Sequence, residues 1–180
     1  MAKAFFNEST GSIIVKGVKV KPGAMDLMFR NFGGNKTDTN EAGKRNFCVK
    51  ITPEDAEQLR EELNKAGLQL NIKEWNGETY FKVVIKFGNY PPQIVRKKVY
   101  ANGRIDKTVL DEDNVGSLDG MLIADGQFSC TPTYLSKYRT WACYLNSFIF
   151  TPLVDPVQEE IEALDMADFQ HPEDDEVPFE

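Results

Sequence analysis

Aromatic and basic side chains interleave at four places in this chain: Phe29-Arg30-Asn31-Phe32, Lys44-Arg45-Asn46-Phe47, Tyr80 with Lys82, and Arg96-Lys97-Lys98-Val99-Tyr100. Together the two residue types suit an unpaired nucleic-acid strand. Cations track the phosphate chain, and bare bases stack on rings for roughly 1 to 3 kcal/mol each without sequence being read. A duplex, whose bases are already stacked, does not need the rings. Strand alternation sends some of these aromatics inward: Phe47 shares a face with Val49 and Ile51, and Phe29 and Phe47 both read as core. Tyr80 falls on the other face of its strand, beside Lys82, where its hydroxyl can remain wet. The candidate phosphate contacts are Arg30, Lys36, Lys44, Arg45, Lys82, Arg96, Lys98 and Arg104. The candidate stacking platforms are Tyr80, Tyr90 and Tyr100.

Other chemistries fare worse. Gly33-Gly34 with Lys36, Lys44 and Arg45 lacks the G-x-x-x-x-G-K-[ST] spacing of a phosphate loop, and the glycines do not open a helix. A loop that clasps a strand, or an ordinary long hairpin, fits better. Asp111-Glu112-Asp113 and Asp119 do not match a calcium loop and read as an acidic turn, although a metal-dependent nuclease would use Asp111, Asp113 and Asp119. His171 is the single histidine, which excludes His-based triads and multi-histidine metal sites. Cys48, Cys130 and Cys143 contain no C-x-x-C pair and read as reduced, mostly buried thiols. No metal and no cofactor is expected.

The elements that must position these residues are mostly strands. Residues 12–20 are rich in β-branched side chains, with Gly17 at a bulge; residues 27–32 form a second strand, and a polar loop follows to Arg45. Residues 46–51 form a third. Thr52 then caps a helix over residues 53–66, with Pro53 in its first turn, Asp55 three residues after the cap and Gly67 at its exit. Leu68, Leu70 and Ile72 alternate with Gln69, Asn71 and Lys73, and Asn76-Gly77 is a hairpin turn. Residues 79–87 answer it, with Phe81, Val83, Ile85 and Phe87 on the core face. Further strands are predicted at residues 94–100, 121–128 and 141–150. A mainly β fold with one helix after the third strand is the order of an elaborated OB-fold, a five-stranded Greek-key barrel with extra strands, and a β-sandwich is the alternative.

The chain has 180 residues, 41% apolar and 27% charged, enough for one sizeable core. Residues 1–150 carry 21 Lys and Arg against 17 Asp and Glu, whereas residues 151–180 carry none against 11. A mildly basic body therefore precedes an acidic tail. The expected division is a nucleic-acid-binding domain over residues 1–152 and a tail over residues 153–180, a short helix through Val157, Ile161 and Leu164 and then disorder. The tail ends in Asp174-Asp175-Glu176-Val177-Pro178-Phe179-Glu180, where carboxylates steer and a Pro-stiffened aromatic anchors. No apolar run is long enough for a membrane span and no secretory signal opens the chain, so a soluble cytoplasmic protein is expected.

The Asp-Asp-Glu-Val-Pro-Phe tip resembles the acidic terminus of bacterial single-stranded DNA-binding proteins. The stretches RNFGGNKTDTNEAGKRNFCVKI and KTVLDEDNVGSLDGMLI are similar to bacteriophage-type single-stranded DNA-binding proteins, whose bodies are OB-folds. Glu180 beyond Phe179 departs from the bacterial pattern, as does the lack of a long Gly/Gln-rich linker. The resemblance implies a non-enzymatic, sequence-independent binder of single-stranded DNA in phage replication or recombination, working in the host cytoplasm. It also implies that Asp174, Asp175, Glu176, Pro178 and Phe179 bind replication or recombination partners. A homodimer could form through an edge strand or the helix after Pro156. The alternative is a protein-interaction β-domain, a virion component or inhibitor, whose basic residues are only surface.

Overall fold

Alternation and turn chemistry divide the chain into short strands, which the computed structural model describes over residues 1–154 together with residues 157, 160, 161 and 164. β1 (Lys3–Asn7) and β2 (Ser12–Lys16) form a hairpin. Gly17, at φ +70°, takes a conformation closed to most side chains and separates β2 from β3 (Val20–Lys21). β4 (Ala24–Met25) and β5 (Leu27–Asn31) return, and β6 (Arg45–Ile51) pairs with β5.

α1 (Pro53–Lys65) begins where the Thr52 side-chain oxygen accepts the Asp55 amide at 3.1 Å, and it buries Ala56, Leu59 and Leu63. Ala66 is its cap rather than its last residue. The Asp55 carboxylate also accepts the Ala4 amide at 3.1 Å, tying the helix to β1. β7 (Ile72–Trp75) and β8 (Glu78–Ile85) follow, then β9 (Gln93–Val99) and β10 (Ile105–Leu110). A 3₁₀ turn (Val115–Asp119) leads into the long β11 (Ile123–Leu135) and β12 (Thr140–Pro152).

The strands form a circuit. β11 pairs with β12 and with β3, β3 with β4, β5 with β6, β6 with β8, and β8 runs parallel to β12 at Tyr144 and Val84. Asp26, between β4 and β5, closes the ring: its N–H donates to the Lys19 carbonyl and its own carbonyl accepts the Lys50 N–H. Its carboxylate, itself buried, accepts the Lys19 amide at 2.8 Å. The result is an elaborated OB-type barrel, mainly β with one inserted helix, and not two facing sheets. Phe32, Phe47, Phe128 and Phe148 fill it, with Phe32 stacked on Phe47 at 4.9 Å and Phe128 on Phe148 at 5.7 Å. Beyond its parallel partner β8, β12 pairs through Ser147 to Phe150 with β9, so the β9–β10 hairpin extends the barrel wall.

The sequence reading omits β1, the two-residue β4 and β10. It also stops β11 at residue 128, although the strand runs on past Pro132 to Leu135, and it starts β7 too early, since residues 68–71 are not strand. Val157, Glu160, Ile161 and Leu164 are helical; the rest of the segment from residue 155, with the partner-binding positions 174–179, lies outside the described residues.

Candidate nucleic-acid interface

Because Phe47, Val49, Ile51, Phe81, Val83 and Ile85 point into the barrel, the even-numbered residues of β6 and β8 point out. Register sets Lys73, Tyr80 and Lys50 in one row across β7, β8 and β6, and Cys48 opposite Lys82 in the next. Trp75 shares the outward side of β7 with Lys73, held there by a turn in which Asn76 (φ +51°) and Gly77 (φ +77°) are both left-handed.

β5 adds a residue that alternation does not foresee. Its register slips between Met28 and Asn31, and Phe29 sits in the slip at φ +50°. Its ring stands 5.4 Å from Trp75 and 6.2 Å from Tyr80, both edge-on. Phe29 is 55% exposed and Trp75 50%. Three aromatic rings therefore stand together at the surface beside Lys50, Lys73 and Lys82. Lys50 faces Glu78 at 3.9 Å, and beneath the wall burial raises the Cys48 thiol pKa, while Lys82 and Lys73 act to lower it.

The wall continues as a groove. A concavity of about 330 Å³ runs from Lys73 and Lys82 past Asn71 to Trp141 and Tyr144. A second, of about 740 Å³, shares Leu135 and Tyr144 with it and ends at Lys86 and Tyr90. Trp141 packs at 5.4 Å on Tyr134 across the β11–β12 hairpin. Aromatic and cationic groups thus alternate from Phe29 to Tyr90, the latter almost fully exposed.

Of the residues singled out from sequence, Tyr80 and Lys82 lie at the centre of this wall and Tyr90 at the end of the groove. Phe47 is core, as alternation predicts; Phe29 is not, because the slipped register turns it outward. One Arg30 guanidinium nitrogen donates to the carbonyls of Leu118 and Met121, at 2.7 and 2.6 Å, and burial pulls its pKa down against the nearby Asp119. Arg45 is only 13% exposed: it donates to the Phe32 carbonyl at 2.6 Å, lies 5.2 Å over the Phe87 ring and faces Glu112 at 3.9 Å. Lys36 is exposed on the β5–β6 loop, and Lys44 there faces Glu41 at 3.3 Å. Arg96, Lys98, Tyr100 and Arg104 stand on the β9–β10 hairpin. Lys98 and Arg104 each lie 5.1 Å over the Tyr100 ring, and Arg104 pairs with Asp106 at 2.9 Å, a bond that holds the Asp106 pKa down.

The polar loop after β5 is a hydrogen-bonded hairpin. Asn31 and Asn35 exchange two bonds of 2.8 Å, and the Asn40 amide donates to the Lys44 carbonyl at 2.7 Å. The acidic residues are spent locally. Asp119 accepts the amides of Phe32 at 2.6 Å and Gly33 at 3.1 Å, and Asp111 accepts those of Asp113 and Asn114. Sequence reading missed Trp75, Lys73, Lys50, Lys86, Trp141 and Tyr144. For Trp75 a signal existed: extending the alternation of Ile72 and Lys73 by two residues puts it on the lysine side. For Phe29 none did, since a bulge leaves no mark in composition.

Solved structures to which this chain is similar include three of the single-stranded DNA-binding protein from bacteriophage Enc34. The complex with single-stranded DNA is 9% identical, with a TM-score of 0.50 over 87% of this chain and 94% of that one. A C-terminal truncation gives 9%, 0.48, 87% and 94%, and the third structure 11%, 0.46, 87% and 92%. At 9% identity the likeness to the DNA complex is one of fold alone. No curated protein matches the sequence. The family model of the phage ssDNA-binding domain matches residues 13–176, the barrel and most of the acidic segment. That match spans well over half of the sequence, and the chain belongs to the phage ssDNA-binding domain family.

Proposed function

We propose that this protein coats single-stranded DNA, irrespective of sequence, along the strip from Phe29 to Tyr90. The observation that carries the reading is the Phe29, Trp75 and Tyr80 cluster beside Lys50, Lys73 and Lys82. Large rings half in water gain little for folding, but they offer bases a surface to stack on. Phe29, Trp75 and Tyr80 serve as the platforms, Lys50, Lys73, Lys82 and Lys86 as the phosphate contacts, and Tyr90 receives the strand at the far end. Arg30 and Arg45, tied to carbonyls, set the frame and present their remaining N–H groups. Lys36 and Lys44 on one loop, and Arg96, Lys98, Tyr100 and Arg104 on the β9–β10 hairpin, are contacts for a longer strand.

In this reading residues 1–152 bind and protect DNA during phage replication or recombination in the host cytoplasm. Residues 153–180 recruit partner proteins through Asp174, Asp175, Glu176, Pro178 and Phe179. Fluorescence-anisotropy titration of labelled oligo-dT, with a duplex of equal length as competitor and at two salt concentrations, tests the DNA reading. Strand-selective binding that weakens with salt is expected. No binding at low salt overturns it.

A further inference from the structure

A second wall of the barrel is apolar at its centre. Outward side chains of four strands, Ile14 on β2, Ile149 on β12, Val95 on β9 and Val109 on β10, line a concavity of about 550 Å³, and Lys16 and Lys107 stand at its rim. It shares no lining residue with the groove described above. Val109 is 61% exposed. Lys16 lies 5.7 Å over the ring of Phe5 on β1, which continues the apolar surface, and Lys97 stands opposite Lys107 in the β9–β10 ladder. Asp125 is exposed on β11, the strand that also supplies Gln127 to this lining.

An apolar floor with a lysine rim calls for a ligand that is apolar at its tip and acidic beside it. Residues 173–179 have that order: four consecutive acids, then Val177 and Phe179 either side of Pro178. In an extended segment, residues two apart face the same way, so Val177 and Phe179 can enter the floor together while the acids meet the rim. The path is short enough. The Leu153 amide is fixed to the Leu122 carbonyl at 3.0 Å, four positions beyond Ile149 of the floor. The residues from Val154 to Phe179 span roughly 37 Å even if wholly helical and about 80 Å if extended. A tether of this kind gives an effective concentration on the order of mM, which fills even a weak site.

We propose that residues 173–179 dock in cis on the Ile14, Val95, Val109 and Ile149 wall, which shelters Phe179 until a partner protein displaces it. The docking stands apart from the strand groove; its consequence for partners rests on the recruiting role given to the tail above.

The test is photo-crosslinking of the full chain carrying Phe179→p-benzoylphenylalanine, with crosslinked peptides mapped by mass spectrometry, with and without oligo-dT. Expected are intramolecular crosslinks to β9, β10 and β2, in equal yield with DNA bound and several-fold weaker in Val109→Glu and Lys107→Glu, both exposed and so compatible with folding, as melting would verify. Crosslinks to the Trp75 and Tyr80 wall that vanish with oligo-dT would place the tail in the DNA groove and overturn the proposal. Crosslinks only between copies, or none, would also overturn it. Anisotropy on the same samples reports DNA binding separately, so a failure of the DNA reading is recognised as such.

Discussion

Phe29 carries two opposing burdens, and replacing it separates them. At φ +50° its Cβ crowds the backbone, which costs an L-residue about 1 to 2 kcal/mol, whereas glycine adopts the same conformation freely. Glycine in turn loses about 0.5 to 1 kcal/mol more chain entropy on folding than alanine. Phe29→Gly and Phe29→Ala remove the same ring packing against Trp75 and Tyr80, so that loss cancels between them. The Gly variant is therefore expected to be more stable than the Ala variant by about 0.5 to 1 kcal/mol, a difference of roughly 1 to 4 °C in a domain of this size. Both should lose the same stacking contribution, about 1 to 3 kcal/mol, or roughly 5- to 150-fold in oligo-dT affinity. Thermal melting and anisotropy titration measure the two quantities on the same samples. An Ala variant as stable as the Gly variant would refute the left-handed assignment. Wild-type DNA affinity in both would refute the stacking role.

Lys73→Ala with Lys82→Ala should flatten the dependence of log affinity on log salt by about 0.7 for each phosphate that is no longer neutralised, while Trp75→Ala lowers affinity and leaves the slope unchanged; titrations at four salt concentrations decide this. Asp119→Ala strips the acceptor from two backbone amides behind β5 and should cost about 2 to 4 kcal/mol in denaturant unfolding, with a wild-type midpoint as the contrary result. Burial raises the thiol pKa of Cys48 and of Cys130, so the thiolate is scarce at neutral pH and reaction with a thiol reagent should be slow, rising with pH, until denaturant exposes three thiols. Rapid labelling of one thiol at pH 7 would contradict the burial.

Patterns that act over a few residues were legible in the sequence. The Thr52 cap with Pro53 placed α1 to within a residue, Asn76-Gly77 placed the β7–β8 turn, and the alternation from Phe81 to Ile85 gave both the core face and the outward side of Tyr80 and Lys82. The stretches RNFGGNKTDTNEAGKRNFCVKI and KTVLDEDNVGSLDGMLI pointed to the phage family that the family model bears out. What tertiary structure alone decided depends on partners distant in sequence. Asp26 is a barrel closure only because Lys19 and Lys50 flank it in space, and Arg30 is tied down only because Leu118 and Met121 present carbonyls 88 and 91 residues away. Phe29 turned outward because β5 slips against β6, and a slip is a property of a strand pair, which no single strand's composition encodes.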